Sequence, residues 1–274
     1  MIAFGSFAGS VAVVTGAGSG IGRAAGLTFA ARGASVVVSD LDSDRADAVA
    51  AEIRAAGGSA VSVSCDVSRS SDLERLRDTA LAGFGRVDIV MNNVGVIAVG
   101  APELIPLSEW QRVIDLNLLG MVRSNAVFLP LLLDQGCGHV VNTASRWGLL
   151  AHGYERLPYV TTKHAVVGMS EALAFYLAPK GIGVTCLCPS GVRTNIAEQV
   201  TVFGPPSVRG APLPQADTVV DAELVGELVA DAVSAGRFLV LTDPGVHDEM
   251  VERAADLDAY IAANLEVGNG ESST

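Results

Sequence analysis

A chain of 274 residues is longer than a small domain and shorter than two ordinary ones, so it reads as one large α/β domain. Half of it is apolar, 18% is charged and the mean hydropathy is +0.41, a balance that excludes wholesale disorder. The 18 Lys and Arg against 30 Asp and Glu leave a net charge of −12, which repels polyphosphate and argues against a nucleic-acid partner.

The first residues, MIAFGSFAGSVAVV, are apolar but lack a basic leader and run straight into a glycine-rich motif, so no export signal is expected. The leucine-rich stretch 116–133 is interrupted by Arg123 and Asn125, short of the ~20 apolar residues of a spanning helix. A soluble, cytoplasmic protein with no membrane contact is expected.

Short β-branched runs at 11–15, 35–39, 60–65, 88–91, 139–143, 184–188 and 238–242 are nearly continuous in apolar character, as strands buried on both faces require. Between them, 21–32, 44–56, 71–84, 108–133, 158–178 and 221–235 have the length and composition of crossover helices. The alternation predicts a Rossmann-like, doubly wound fold: a seven-stranded, mainly parallel sheet flanked by helices, in a single domain over 1–267. Residues 195–217, with four prolines and two glycines, are expected to form a long lid-like loop near the substrate. An extra acidic helix is expected over 246–265, and 268–274 has the composition of a flexible tail. Cys65, Cys137, Cys186 and Cys188 are expected to be mostly buried, reduced thiols, with Cys186 and Cys188 on one face of a strand; no metal site is expected.

The first strand feeds TGAGSGIG (15–22), which opens a helix. Gly16, Gly20 and Gly22 place small residues where backbone amides and a helix N-terminus can approach a pyrophosphate. The second strand ends at Asp40, where a carboxylate can bond ribose hydroxyls and repel a 2′-phosphate. No Lys or Arg stands at Ala17 or Leu41, so NAD is expected as cofactor rather than NADP.

Downstream, Tyr159 and Lys163 are spaced i, i+4 at the start of a helical stretch, on one face. An ordinary tyrosine has a pKa of ~10 and is a poor base at neutral pH, so it needs a nearby cation that favours the phenolate. Ser145 follows the fifth strand, at the sheet edge where doubly wound folds place ligands. Asn117 lies inside a long helix, where an amide does not favour stability.

TGAGSGIG, Asp66-Val67, Asn92-Asn93-Val94-Gly95, the Ser145–Tyr159–Lys163 set and Pro189-Ser190-Gly191-Val192-Arg193-Thr194 together resemble the short-chain dehydrogenase/reductase family over roughly residues 11–194. The resemblance implies a tetrad of Asn117, Ser145, Tyr159 and Lys163. It also implies cofactor contacts from Gly16, Ser19, Gly20, Ile21, Gly22, Asp40, Leu41, Asp66, Val67, Asn93, Gly95, Tyr159, Lys163, Pro189, Val192 and Thr194. Three departures stand out: Val94 where alanine is usual, Ser190 where glycine is usual, and thirteen residues between Ser145 and Tyr159, one more than expected. The activity implied is hydride transfer between NAD(H) and a secondary alcohol or ketone.

Trp147, Leu149, Leu150, His152 and Tyr154, with Val202 and Phe203, predict an apolar pocket for a small hydrophobic alcohol or ketone, with Ser145, Trp147 and Tyr159 as substrate contacts. Packing is the plainer role for His152. Arg146, Arg156, Arg193 and Arg209 are scattered and mark no anionic group. The resemblance further implies a homotetramer built on the helices around the fifth strand, or a dimer given the acidic C-terminus. An NADP-dependent carbonyl reductase is the enzymatic alternative, disfavoured by Asp40. A non-catalytic NAD-binding sensor or structural protein would be expected to lack a tetrad residue, and none is missing.

Overall fold

A computed structural model describes residues 2–204 and 219–270. Seven strands, β1 (Val11–Thr15), β2 (Ser35–Asp40), β3 (Ser59–Ser64), β4 (Ile89–Asn92), β6 (Gly138–Thr143), β7 (Ile182–Cys188) and β11 (Leu239–Leu241), form one parallel sheet in the order β3-β2-β1-β4-β6-β7-β11. The register aligns Val13 with Val37 on one side and with Val90 on the other. The order reverses at β1, so the crevice for a ligand opens at the carboxyl ends of β1 and β4.

Alternation along each strand separates two cores. Ala12, Val14, Val36 and Val38 face helices α1 (Gly20–Ala31), α2 (Ser43–Ala55) and α6 (Ala222–Ala235). Val11, Val13, Val37 and Val140 face α3 (Ser70–Phe84), α4 (Leu107–Gln135) and α5 (Leu157–Leu177). Two short parallel pairs flank the crevice: β5 (Ile97–Val99) with β9 (Val200–Val202), and β8 (Gly191–Arg193) with β10 (Val219–Asp221).

The seven expected strands are all present. Helix 108–133 is corrected: α4 carries a π-helical turn over Asp115–Leu119, and such turns do not disturb apolar periodicity enough to be read. Although α4 has a mean hydropathy of 1.5 over its most apolar window, it buries Phe128 and Leu132 against the sheet. The single helix expected over 246–265 is two, α7 (Gly245–Ala255) and α8 (Leu257–Gly270). They break at Asp256, which is extended (φ −155°, ψ 99°) and accepts from the Ala259 N–H at 2.9 Å, a side chain that competes with the helical backbone. Of the tail expected over 268–274, residues 268–270 are the last of α8 and 271–274 lie outside the described residues. Of the expected lid, 195–204 forms a 3₁₀ turn (Asn195–Gln199) followed by β9, and 205–217 lies outside the described residues. Cys65, Cys186 and Cys188 are buried, but Cys137, at the turn before β6, is exposed.

His139 is fully buried in β6. Thr185 Oγ1 gives its proton to the Arg237 carbonyl at 2.8 Å, so His139 Nε2 must donate to Thr185 at 2.8 Å and Nδ1 is left bare. Burial holds the imidazole neutral, its pKa pushed from 6.5 down to about 3. Because the folded value lies below the unfolded one, this group's contribution is intact above pH 6.5 and is lost as pH falls toward 3. Urea unfolding of the wild type and His139→Gln at pH 7.5 and 4.5 should show the wild type losing about 2–3 kcal/mol more than the variant.

Candidate active site

The turn between β1 and α1 is made by glycines in a region that other residues avoid, Gly16 at φ +61° and Gly20 at φ +52°. A Cβ on Gly22 would overlap the Gly16 carbonyl and stand 2.7 Å from Asn93 Nδ2. The first turn of α1 is thereby pressed onto the loop. Ser19, its N-cap, makes no side-chain capping bond and no acidic residue occupies the first turn, so the helix N-terminus is free to hold an anion. A cavity of about 460 Å³ opens there, bordered in part by Gly18, Ser19, Gly20, Arg23, Arg45 and Thr194. Ile21 packs partly buried onto the core beneath.

Asp40 closes β2 with one oxygen accepting from the Gly18 N–H at 2.9 Å and the other from the Asp42 N–H at 3.1 Å. Its carboxylate is therefore fixed beside the glycine loop, and the Leu41 side chain next to it is exposed. Asp66 follows β3; its Oδ1 accepts from the Ser68 N–H at 2.9 Å and the Ser68 hydroxyl at 2.7 Å, its Oδ2 stands 3.5 Å from Arg69, and its N–H donates to Asp72 Oδ2 at 3.0 Å. Val67 is buried, in line with Gly120 of α4, where a Cβ would touch it at 3.0 Å.

Asn93 ties three strand ends together. Its N–H donates to Thr15 Oγ1 at 3.1 Å, its Nδ2 donates to the Gly16 carbonyl at 3.2 Å, and its Oδ1 accepts from Thr143 Oγ1 at 3.2 Å. On the opposite wall, the Pro189 carbonyl accepts from the Arg146 N–H at 2.9 Å. Val192 packs partly buried against the α1 side of the core. The Thr194 side chain lies against Gly20, 3.0 Å from where a Cβ would stand.

The four residues expected as a tetrad converge at the carboxyl ends of β4 and β6. Ser145 follows β6, is 4% exposed, and its hydroxyl accepts from the Trp147 N–H at 3.2 Å. Tyr159 and Lys163 sit one turn apart at the start of α5, with Lys163 Nζ 5.5 Å from the tyrosine ring centre. Burial raises the Tyr159 pKa, and the neighbouring Ser145 hydroxyl and the Arg156 charge act against that rise. Lys163 is buried and donates to the Thr143 carbonyl at 2.8 Å; burial brings its pKa from 10.5 down to about 8.

Asn117 lies in the π turn of α4, fully buried. Its Oδ1 accepts from the Val96 N–H at 2.8 Å, while its Nδ2 donates to the Val96 carbonyl at 2.9 Å and to Thr162 Oγ1 at 3.3 Å. This clamps Gly95–Val96 beside the lysine: a Cβ on Gly95 would stand 3.3 Å from Lys163 Nζ. The amide thus positions the loop after β4.

A 3₁₀ turn (Arg146–Gly148) and a loop lead from Ser145 to α5, and the Ser145 and Tyr159 side chains are neighbours. That loop is roofed by the C-terminal helices. Glu249 of α7 meets Arg146 at 3.1 Å, faces His152 Nε2, and accepts from the Tyr260 hydroxyl of α8 at 2.7 Å. His152 packs edge-on to Trp147, ring centres 5.7 Å apart. Phe203 packs with the Val96–Ile105 cluster, and Tyr154 is exposed. The four arginines thought scattered are not alike: Arg146 is paired with Glu249, Arg193 pairs with Asp221 at the surface, Arg209 lies outside the described residues, and Arg156 is buried over the Trp147 ring at 5.1 Å. Sequence position alone carries no signal for the Arg156 and Glu249 placements, which depend on how the inserted loop folds back.

A Rossmann sheet with a glycine turn, an acidic β2 end and a Ser–Tyr–Lys cluster defines a class of nucleotide-binding oxidoreductases. The chain matches the short chain dehydrogenase family over residues 10–202 and belongs to it. It is 34% identical over 254 residues to the 1-deoxy-11-beta-hydroxypentalenate dehydrogenase of Streptomyces exfoliatus, a match spanning 92% of this chain and 89% of that protein. It is 37% identical over 192 residues to the cyclohexanol dehydrogenase of Acinetobacter sp. strain SE19, spanning 69% and 76%. Among solved structures it is similar to a short chain dehydrogenase/reductase from Burkholderia phymatum in complex with NAD, with a TM-score of 0.82, 32% identity and coverage of 94% and 96%.

The Lys163 assignment has a measurable consequence for stability. Its folded pKa lies below its unfolded one, so the cost of the buried ammonium is full below pH 8 and vanishes above 10.5. Without cofactor, the stability of the wild type relative to Lys163→Met should rise across that window by on the order of 3 kcal/mol, read by urea unfolding at several pH values.

Proposed function

We propose that the protein is an NAD-dependent dehydrogenase of hydrophobic secondary alcohols, running in reverse as a ketone reductase. The observation that carries this reading is the meeting of Ser145, Tyr159 and Lys163 beside a glycine turn whose neighbouring strand ends in a carboxylate. The uncapped α1 N-terminus, the space that only glycine leaves at positions 16, 20 and 22, and the anchored Asp40 carboxylate fit a dinucleotide.

In this assignment Gly16, Ser19, Gly20, Ile21 and Gly22 hold the pyrophosphate and Asp40 takes the ribose hydroxyls. Leu41, Asp66 and Val67 border the adenine, with Asp66 Oδ1 held by Ser68 and the Asp66 N–H held by Asp72. Asn93, Gly95, Pro189, Val192 and Thr194 frame the nicotinamide end. When bound, the nicotinamide supplies the acceptor for the hydride that leaves the carbinol carbon.

Tyr159 removes the hydroxyl proton as the C–O bond becomes a carbonyl, and returns it in the reduction. Ser145 donates a hydrogen bond to the reacting oxygen. Lys163 favours the phenolate by its charge, and Asn117 keeps the Gly95–Val96 segment against it. Trp147 and the loop of 149–154 supply the apolar wall. Two of the relatives are themselves named as dehydrogenases of a hydroxypentalenate and of cyclohexanol, in keeping with a cyclic alcohol. The exposed Leu119 and Val122 of α4, with Phe175 and Tyr176 of α5, favour assembly through these two helices, as a homotetramer or a dimer.

One observation favours NADP instead: Arg45 lies against Gly18 and Asp40 at the ribose end. It is engaged by Asp42 at 3.3 Å and Glu198 at 2.9 Å, which leaves Asp40 in command of that position. Initial rates with cyclic secondary alcohols should therefore show kcat/KM higher with NAD than with NADP by at least about 100-fold, Asp40→Ser should narrow that ratio, and Tyr159→Phe should lower kcat by about 10²–10⁴-fold. Equal use of both cofactors by the wild type would favour the NADP reading.

A further inference from the structure

Arg156, the residue before α5, is 6% exposed. Its neighbour in the same loop region, Arg146, is answered by Glu249. Arg156 is not: among the described residues no carboxylate stands within ion-pair distance of it, and its guanidinium has no hydrogen-bond acceptor. Its one close companion is the face of Trp147, 5.1 Å from ring centre to Cζ. A guanidinium remains charged under these conditions, and a ring face offsets only part of the cost of taking that charge out of water. Among the described residues it is therefore short of a counter-charge.

Its position says where that counter-charge comes from. Trp147, whose ring the guanidinium covers, is two residues from Ser145, and Tyr159 follows Arg156 by one helical turn. The Arg156 charge is felt at the Tyr159 phenol, itself beside Ser145, which sets the guanidinium next to the Ser145–Tyr159 pair. A lone guanidinium presents a planar fork that matches a carboxylate and balances one negative charge. A phosphate dianion would leave a charge unanswered in a chain that already carries −12.

We propose that Arg156 anchors a carboxylate of the substrate, so that the alcohol oxidised is a hydrophobic, alicyclic hydroxy acid held at one end by Arg156 and Trp147 and at the other by Ser145 and Tyr159. This rests on the dehydrogenase reading above and narrows its substrate class. Glu155 lies next in sequence and acts on the guanidinium only at a distance, which leaves the fork free for a ligand.

The test compares hydroxylated alicyclic acids, from hydroxycyclohexanecarboxylate to steroid-sized acids, each against its own methyl ester, with NAD as acceptor. The wild type should favour at least one acid over its ester by on the order of 10- to 100-fold in kcat/KM, mostly through KM. Arg156→Gln should erase that preference, bringing the acid-to-ester ratio of kcat/KM to about one whatever it does to ester turnover, and Arg156→Lys should restore part of it. The acid-to-ester ratio of the wild type needs no variant, so a variant that misfolds does not spare the proposal. Equal kcat/KM for every acid and its ester overturns it. So does an Arg156→Gln variant that loses acid and ester turnover equally with its pH profile moved upward, which would make Arg156 the counter-charge of Tyr159. Turnover of neutral cyclic alcohols alone removes the carboxylate anchor and leaves the dehydrogenase reading standing. If no alcohol is turned over, the dehydrogenase reading fails. Calorimetry of the same acids and esters then decides Arg156 on its own: acid binding that is lost in Arg156→Gln supports the anchor, and no acid binding overturns it.

Discussion

The Lys163 ammonium is 2% exposed and its hydrogen-bond partner is a neutral one, the Thr143 carbonyl at 2.8 Å. A cation so placed is costly unless its surroundings are arranged to receive it. Gly95 leaves room beside it because a side chain there would crowd Nζ. Asn117 holds that backbone in place with both faces of its amide, and Tyr159 sits one turn back on the same helix. Each of these choices is unfavourable or neutral for folding by itself: an asparagine inside a helix, a π turn, a glycine in the loop between β4 and β5. They become intelligible together as the housing of one charge whose neighbour is a phenol.

The fold supplies the rigidity that this housing needs. A parallel sheet covered on both faces delivers the ends of β1, β4 and β6 to one edge, and Asn93 stitches them through Thr15, Gly16 and Thr143. The glycine turn and the tetrad are therefore two ends of one hydrogen-bonded framework. Above it, the loop after Ser145 is held down by Glu249 and Tyr260 from the last two helices.

Strands were legible because burial on both faces writes an uninterrupted apolar run, as in β1, β2 and β7. The glycine turn and the Tyr159–Lys163 pair were legible because their spacing is local. The π turn was not, since one extra residue inside α4 hardly alters the apolar pattern around Asn117. Nor was the break at Asp256, where a single side-chain capping bond outweighs otherwise continuous helical composition. Arg156 reads in sequence like any solvated arginine. Its burial follows from the path of the loop and from Trp147 being turned toward it, and neither is encoded in local spacing. The bonds from Ser68 to Asp66 Oδ1 were likewise not legible, since an aspartate after a strand carries no mark of which neighbour it caps.

The account turns on the claim that the Lys163 charge lets the Tyr159 phenol act as a base near neutral pH. The most direct test is the acidic limb of kcat/KM against pH for alcohol oxidation with NAD, which reports the coupled Tyr159–Lys163 pair rather than either residue alone. In the wild type that limb should fall well below the ~10 of an ordinary tyrosine, and in Lys163→Met the residual activity should show it moved upward by at least about one pH unit. A limb that stays in place when the lysine is removed would contradict the account and assign the base to another group.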